Sequence, residues 1–208
     1  MLLIHIDPAT MIGKGSDRAC YDHPDDPKKC IKITHTADNK QSQNDLKCYT
    51  HLAKQNISWE MLARFYGTVE TDMGEGLVFE KVLDFDGSTS KDLNYYLKSD
   101  KQMRAISDLL GLLKALYRYL LTEKIVFRDL NADNILYKRI TETEGKFMII
   151  DGVGTSVLIP LEKYSDFFAR RKIERKWEKL IERLERNFRD NASFMKIIEE
   201  NRESLISG

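Results

Sequence analysis

The chain has 208 residues and a mass of 24.2 kDa, with 33 basic and 33 acidic side chains and 42% hydrophobic residues. This is enough for one domain, whole or split into two lobes, that folds about 35,000 Å² of unfolded surface down to about 10,000 Å². The hydrophobic content argues against global disorder, and the zero net charge gives no support to a nucleic-acid binder working by bulk electrostatics.

Leu2 to Ile6 reads as a short strand, too short and without a basic flank for a signal peptide. No apolar run reaches the roughly 20 residues of a spanning helix. A glycine-bearing segment, Ile12-Gly13-Lys14-Gly15-Ser16, leads into a strand around Ala19 to Tyr21. A turn rich in Asp and Pro follows at 23–27, and then a strand at Cys30 to Ile33. Residues 40–55 carry Leu46, Tyr49, Leu52 and Ala53 at helical spacing. Tyr66 to Thr71 and Leu77 to Val82 flank Asp-Met-Gly-Glu-Gly, a hairpin signal. Regularity breaks at Asp84 to Ser88, where a hinge between lobes is expected.

From Gln102 to Glu123, Met103, Ile106, Leu109, Leu110, Leu113, Leu116, Tyr117 and Leu120 form a wide apolar stripe, predicting one buried helix. Phe147 to Ile150 reads as a buried strand ending at Asp151. Leu161 to Phe188 reads as amphipathic, with Ile173, Trp177, Leu180, Ile181, Leu184 and Phe188 on the core face. The tail beyond Asp190 is read as a last short helix or a frayed end. Three cysteines, Cys20, Cys30 and Cys48, are too few and too odd in number for a disulfide framework, so a reducing cytoplasm is the expected compartment.

Two segments carry the chemistry. One is Phe127-Arg128-Asp129-Leu130-Asn131-Ala132-Asp133-Asn134; the other is Met148-Ile-Ile-Asp151-Gly152-Val-Gly154. An aspartate, an asparagine five residues on, an apolar strand pair and a second aspartate make the phosphoryl-transfer arrangement of kinase-like enzymes. Such a reaction needs a carboxylate at the attacking hydroxyl, here Asp129. It also needs an amide oxygen and a second carboxylate to hold Mg²⁺ against the phosphates, here Asn134 and Asp151.

Upstream features fall in matching order. Gly13, Lys14, Gly15 and Ser16 resemble the glycine-rich hairpin that covers ATP phosphates, where glycine lets backbone N–H groups come close. Lys32 stands where a catalytic lysine meets the α- and β-phosphates. Leu77 to Val82, with Glu80 and Val82 at its end, resembles the hinge strand whose backbone reads adenine.

A closer resemblance rests on Gly13 through Ile33, on Phe65 through Asp72 and on Val157-Leu-Ile-Pro160, and it spans roughly residues 10 to 190. Over these the chain resembles the bacterial PhoP-regulatory-network protein family, YrbL. The resemblance implies a protein-kinase-like fold, without naming a reaction.

Departures from the kinase pattern are informative. Arg18 replaces the third glycine of the hairpin, and its charge is a candidate to reach a phosphate itself. No glutamate precedes Glu60, so the helix carboxylate expected to pair with Lys32 is an aspartate, and Asp45 is best placed. Asn131 replaces the lysine that often contacts the transferred phosphoryl group. Phe127 replaces the loop histidine, and Arg128 is left with a structural job. Asp-Phe-Gly becomes Asp151-Gly152-Val153, and no long activation segment follows, which disfavours a conventional protein kinase.

The expected architecture is α+β: a trimmed bilobal kinase-like domain with an antiparallel sheet N-lobe at 1–82, a mainly helical C-lobe at 83–208, and the nucleotide in the cleft between them. The expected activity is ATP- and Mg²⁺-dependent phosphotransfer to a small-molecule or protein acceptor. The alternative is a catalytically silent pseudokinase that acts as a nucleotide-binding regulator. Neither nucleic acid nor a membrane span is expected. Cys20, His23, Cys30 and His35 match no common zinc spacing. Arg170, Arg171, Lys172, Arg175 and Lys176, interleaved with acids, read as a solvated helix face.

Overall fold

The computed structural model describes residues 3–37, 40–154 and 166–206. Leu2, the Val157–Pro160 stretch and the first residues of the expected amphipathic helix, 161–165, lie outside them. The chain is mixed α and β and divides into two compact units. One is Met1–Trp59 with Ala63–Val82; the other is Glu60–Leu62 with Leu83–Gly208.

The first unit holds an antiparallel sheet of β1 (Met11–Lys14), β2 (Arg18–His23), β3 (Asp26–Thr34), β4 (Phe65–Thr71) and β5 (Gly74–Glu80), in the order β1-β2-β3-β5-β4. Side chains alternate across each strand, so the sheet has two different faces. Ala19, Tyr21, Ile31, Ile33 and Val78 form one face and bury Ile6, with Ile4 and Val69 packed against them. Cys30 and Phe79 are paired on the opposite face, as are Lys32 and Leu77. Helix α1 (Lys40–Lys54) buries Asp45, Cys48, Tyr49 and Leu52. The Tyr49 ring meets Phe79 edge-on at 4.9 Å and Phe65 at 5.7 Å.

Where a strand is expected at Leu2 to Ile6, the described residues form one parallel bridge, between Ile4 and Thr71. Asp72 explains its brevity: its carboxylate takes the Ile6 N–H at 3.0 Å and the His5 ring nitrogen at 2.8 Å, so side chain replaces ladder. The β4–β5 hairpin turns on Asp72 and Met73 alone, tighter than the five-residue turn expected.

The second unit pairs β6 (Lys91–Asp92), β7 (Ile135–Arg139) and β8 (Gly145–Ile149) and carries five helices among the described residues. These are α2 (Leu93–Leu97), α3 (Asp100–Met103), α4 (Leu109–Thr122), α5 (Asp166–Asn187) and α6 (Ala192–Ile206). The single helix expected from Gln102 to Glu123 is broken at 104–108. Asp108 caps α4 by accepting the Gly111 N–H at 2.8 Å, and a side chain that satisfies an orphan N–H starts a helix where the apolar stripe alone would run on.

Beyond Asp190, Ala192–Ile206 form helix α6. Trp177 on α5 is fully buried, stacks on Tyr117 at 5.0 Å, and donates its indole N–H to the Leu205 carbonyl at 2.8 Å. Asp84 to Ser88 form a turn inside the second unit. There Arg139 Nε donates to Asp84 at 2.6 Å and Nη2 to Asp86 at 2.5 Å. No helix among the described residues is long and apolar enough to cross a membrane.

Candidate functional site

In the first unit, the expected phosphate-covering residues sit at the β1–β2 hairpin. Gly13 pairs with Cys20 and Lys14 with Ala19, and the Gly15 N–H closes the turn on the Arg18 carbonyl at 2.8 Å. Ser16 donates to Asp17 at 3.1 Å, and His35 ties back to the Gly15 carbonyl at 3.2 Å. Residues 11 to 16 are all exposed. Neither Gly13 nor Gly15 has a positive φ, and a Cβ on Gly13 would meet nothing within 4 Å. The fold does not require glycine at either place.

Arg18 lies at the root of that hairpin and turns inward. Its Nη1 donates to Asp45 at 2.6 Å, with the two side chains 7% and 2% exposed. The sequence reading sends Arg18 toward a phosphate. In the structure Arg18 is set against Asp45, because residue 18 alternates onto the face that α1 covers and a buried guanidinium there needs a carboxylate. Lys32 is half-buried in the middle of the sheet, its ammonium 4.8 Å above the Phe79 ring.

At the end of β5, the Glu80 N–H bonds to the Arg64 carbonyl at 2.8 Å and the Lys81 N–H to Lys28 at 2.9 Å. Val82 is buried and, among the described residues, has no backbone hydrogen-bond partner. Cys30 is buried nearby. The Cys20 thiol and burial both push its thiol well above the ordinary cysteine range, as for an unreactive core cysteine.

The second unit brings the other three expected residues into one hydrogen-bonded cluster. Gly152 is its centre. Its carbonyl accepts the Arg128 N–H at 2.7 Å and the Asp129 N–H at 3.4 Å, and its own N–H donates to the Asp151 carboxylate at 2.7 Å. The Ile150 N–H bonds to the Asn134 carbonyl at 3.0 Å. Gly152 has φ of 81°, and a Cβ there would lie 2.1 Å from the Asp129 carbonyl oxygen. Only glycine lets the two segments approach this closely.

Within the loop, Asn134 Nδ2 donates to the Asp129 carbonyl at 3.3 Å, which fixes the amide's orientation and turns Oδ1 away from that bond. Asn131 has a local task that explains its presence. Its Oδ1 accepts the N–H groups of Asp133 and Asn134, both at 3.1 Å, and caps the single helical turn Ala132–Asn134. A lysine there has no acceptor to offer.

Two cations from α5 reach this loop, and the sequence reading missed both roles. Arg183 Nη1 donates to Asp129 Oδ1 at 2.7 Å and to the Leu130 carbonyl at 3.4 Å. Lys176 donates to the Arg128 carbonyl. Burial holds the Lys176 ammonium below the ordinary lysine value; Lys172, Lys179 and Arg175 push the same way, and Asp129 opposes them. Arg183 follows Lys176 by seven residues, two helical turns, so the pair lines one edge of the buried stripe. Lys176 thus leaves the solvated face on which sequence had put it. Arg170, Arg171 and Arg175 are exposed, with Arg170 paired to Glu174 at 2.9 Å.

Magnesium fits the oxygen chemistry of this cluster. A carboxylate, Asp151, and an amide oxygen, Asn134, are hard donors, and the Ile150 N–H on the Asn134 carbonyl ties the two segments together one residue before Asp151.

Comparison with known proteins gives a consistent family. The model of the family described as PhoP regulatory network protein YrbL matches residues 4–185. The curated Uncharacterized protein YrbL of Escherichia coli K12 is 39% identical over 182 residues, covering 86% of this chain and 87% of that one. Its counterpart in Shigella flexneri matches to the same extent.

Proposed function

The chain belongs to the PhoP regulatory network protein YrbL family, and from that premise we propose that it is a kinase-like phosphotransferase. It uses Mg·ATP and transfers the terminal phosphoryl group to an acceptor hydroxyl. The observation that carries this reading is the Gly152 turn, which ties Asp129, Asn134 and Asp151 into one cluster in the second unit.

In this reading Asp129 orients the acceptor hydroxyl and takes its proton. Asn134 and Asp151 hold Mg²⁺, which when bound neutralises phosphate charge. Lys32 meets the phosphates, and Gly13, Lys14, Gly15 and Ser16 lie over them. Glycines that the fold does not need are accounted for when a ligand needs the space. The backbone at Glu80 to Val82 receives the adenine edge, and the unpartnered Val82 backbone supports that role.

Calorimetric titration with Mg·ATP tests the reading on wild type and on Asp151→Asn. Binding near 10 µM, about −6.8 kcal/mol, with its Mg²⁺-dependent part lost in the variant, is the expected result. Absence of binding at millimolar nucleotide overturns it. The second reading, a silent nucleotide-binding regulator, draws on Arg18, whose charge is committed to Asp45 and not offered at the hairpin. Transfer of phosphate to an acceptor, abolished in Asp129→Asn, overturns that second reading.

A further inference from the structure

The contact between Arg183 and Asp129 spans 54 residues of sequence and joins α5 to the loop at the centre of the proposed chemistry. Its geometry is one-sided. Both hydrogen bonds of Arg183 use Nη1, one to Asp129 Oδ1 and one to the Leu130 carbonyl. Among the described residues, Nη2 and Nε donate to nothing and Asp129 Oδ2 accepts nothing. The two side chains are 34% and 57% exposed, so these atoms are open to a ligand. A guanidinium anchored by one nitrogen still offers three N–H groups on a rigid fork, the shape that binds two phosphoryl oxygens at once. The loop itself supplies no such cation, because Asn131 is committed to capping.

We propose that Arg183 is a catalytic residue of the phosphoryl transfer: it holds Asp129 through Nη1 and presents Nη2 and Nε to the phosphoryl group in flight. This rests on the phosphotransferase reading above. In the step, the bond from the terminal phosphorus to the bridging oxygen of ATP breaks, and its electron pair leaves with ADP. The acceptor oxygen forms the new bond to phosphorus, and its proton passes to Asp129 Oδ2. Arg183 stabilises the charge on the equatorial oxygens while holding Oδ1, so one side chain positions the base and meets the transferred group. Lys176, bonded to the Arg128 carbonyl one residue before the base, fixes the loop against the same helix.

Water serves as the acceptor in the test. Mg·ATP turnover is followed by ADP release for wild type, Arg183→Gln and Arg183→Lys, with unfolding midpoints recorded for each. In parallel, calorimetry compares Mg·ADP with Mg·ADP plus aluminium fluoride, which imitates the phosphoryl group in transfer. The expected result is about a 100-fold loss of kcat in Arg183→Gln with KM for ATP nearly unchanged. The gain in affinity that aluminium fluoride gives wild type should vanish in that variant. Arg183→Lys keeps the charge and the anchor if Arg183→Gln fails to fold, and it should fall between the two.

A residue that only fastens α5 to the loop would leave the aluminium fluoride gain intact. Wild-type turnover and an undiminished gain in Arg183→Gln overturn the proposal and leave the phosphotransferase reading standing. A wild type that binds no Mg·ATP, or binds it without turnover and without the gain, overturns both.

Discussion

The hairpin at Gly13 to Ser16 and the turn at Asp151 to Gly154 each carry two glycines, for opposite reasons. At the hairpin the backbone is ordinary and the space is open, so an alanine would fit. At the turn, Gly152 and Gly154 have φ of 81° and 109°, and a Cβ on Gly152 would collide with the Asp129 carbonyl. One pair of glycines is required by the fold. The other is dispensable to it, and in the proposed reading a nucleotide phosphate needs the space it leaves. The hairpin is held at its root, by Arg18 on Asp45; the turn is held at its tip, by the hydrogen bonds of Gly152.

The largest expected effect probes that root. Asp45→Ala leaves the Arg18 guanidinium buried without its carboxylate and should cost about 3–5 kcal/mol in urea denaturation. The double variant Arg18→Met with Asp45→Leu should recover most of the loss, since an apolar pair of similar volume removes both charges. A loss under about 1 kcal/mol in the single variant would mean that the hairpin does not depend on this pair.

Gly152→Ala comes next. It should cost about 1–3 kcal/mol through strain at a positive φ, and displacing the Asp129 carbonyl should weaken Mg²⁺-dependent nucleotide binding as well. Unchanged stability and binding would erase the contrast between the two glycine pairs.

A third turn, Asp84 to Ser88, supplies a comparison held by charge. The Ser88 hydroxyl, the Ser88 N–H and Arg139 together hold the Asp86 carboxyl down to about 2, from the ordinary 3.8. A lowered folded-state value means the carboxylate stabilises the fold above the ordinary value, and that contribution disappears as pH falls through about 2. Thermal melts between about pH 4 and pH 2 should therefore lose less stability in Asp86→Asn than in wild type. Equal slopes would remove Asp86 from the account of this turn.

The smallest effect on stability belongs to Gly13→Ala, within about 0.5 kcal/mol of wild type. If the proposed reading holds, its Mg·ATP affinity should nonetheless fall, because the added methyl would occupy the space proposed for phosphate. A destabilised variant would return Gly13 to the group of glycines that the fold requires.

Much of this molecule was legible along the chain. The period-two alternation of Ile31 and Ile33 against Cys30 and Lys32 placed β3, and the stripe from Ile173 to Leu184 placed α5. The order of Asp129, Asn134 and Asp151 was readable because each lies in a short segment with its own turn chemistry. The break before α4 was missed because an apolar stripe says which face is buried and not where a capping side chain restarts the helix. Asn131 looked like a missing lysine until its bonds to Asp133 and Asn134 showed a cap.

Sequence by itself determined β2 to β5, β8, the helices α1 and α5, the existence of the β4–β5 hairpin and the local loop pattern around Asp129, because these depend on residues within a few positions of one another. Only the tertiary structure decided which charges meet. Arg18 finds Asp45 across 27 residues and Arg183 finds Asp129 across 54. Those pairings depend on which sheet face α1 covers and which edge of α5 lies along the loop. Packing decides both, because apolar burial orients whole elements and the charged groups at their margins take the partners that orientation brings within reach.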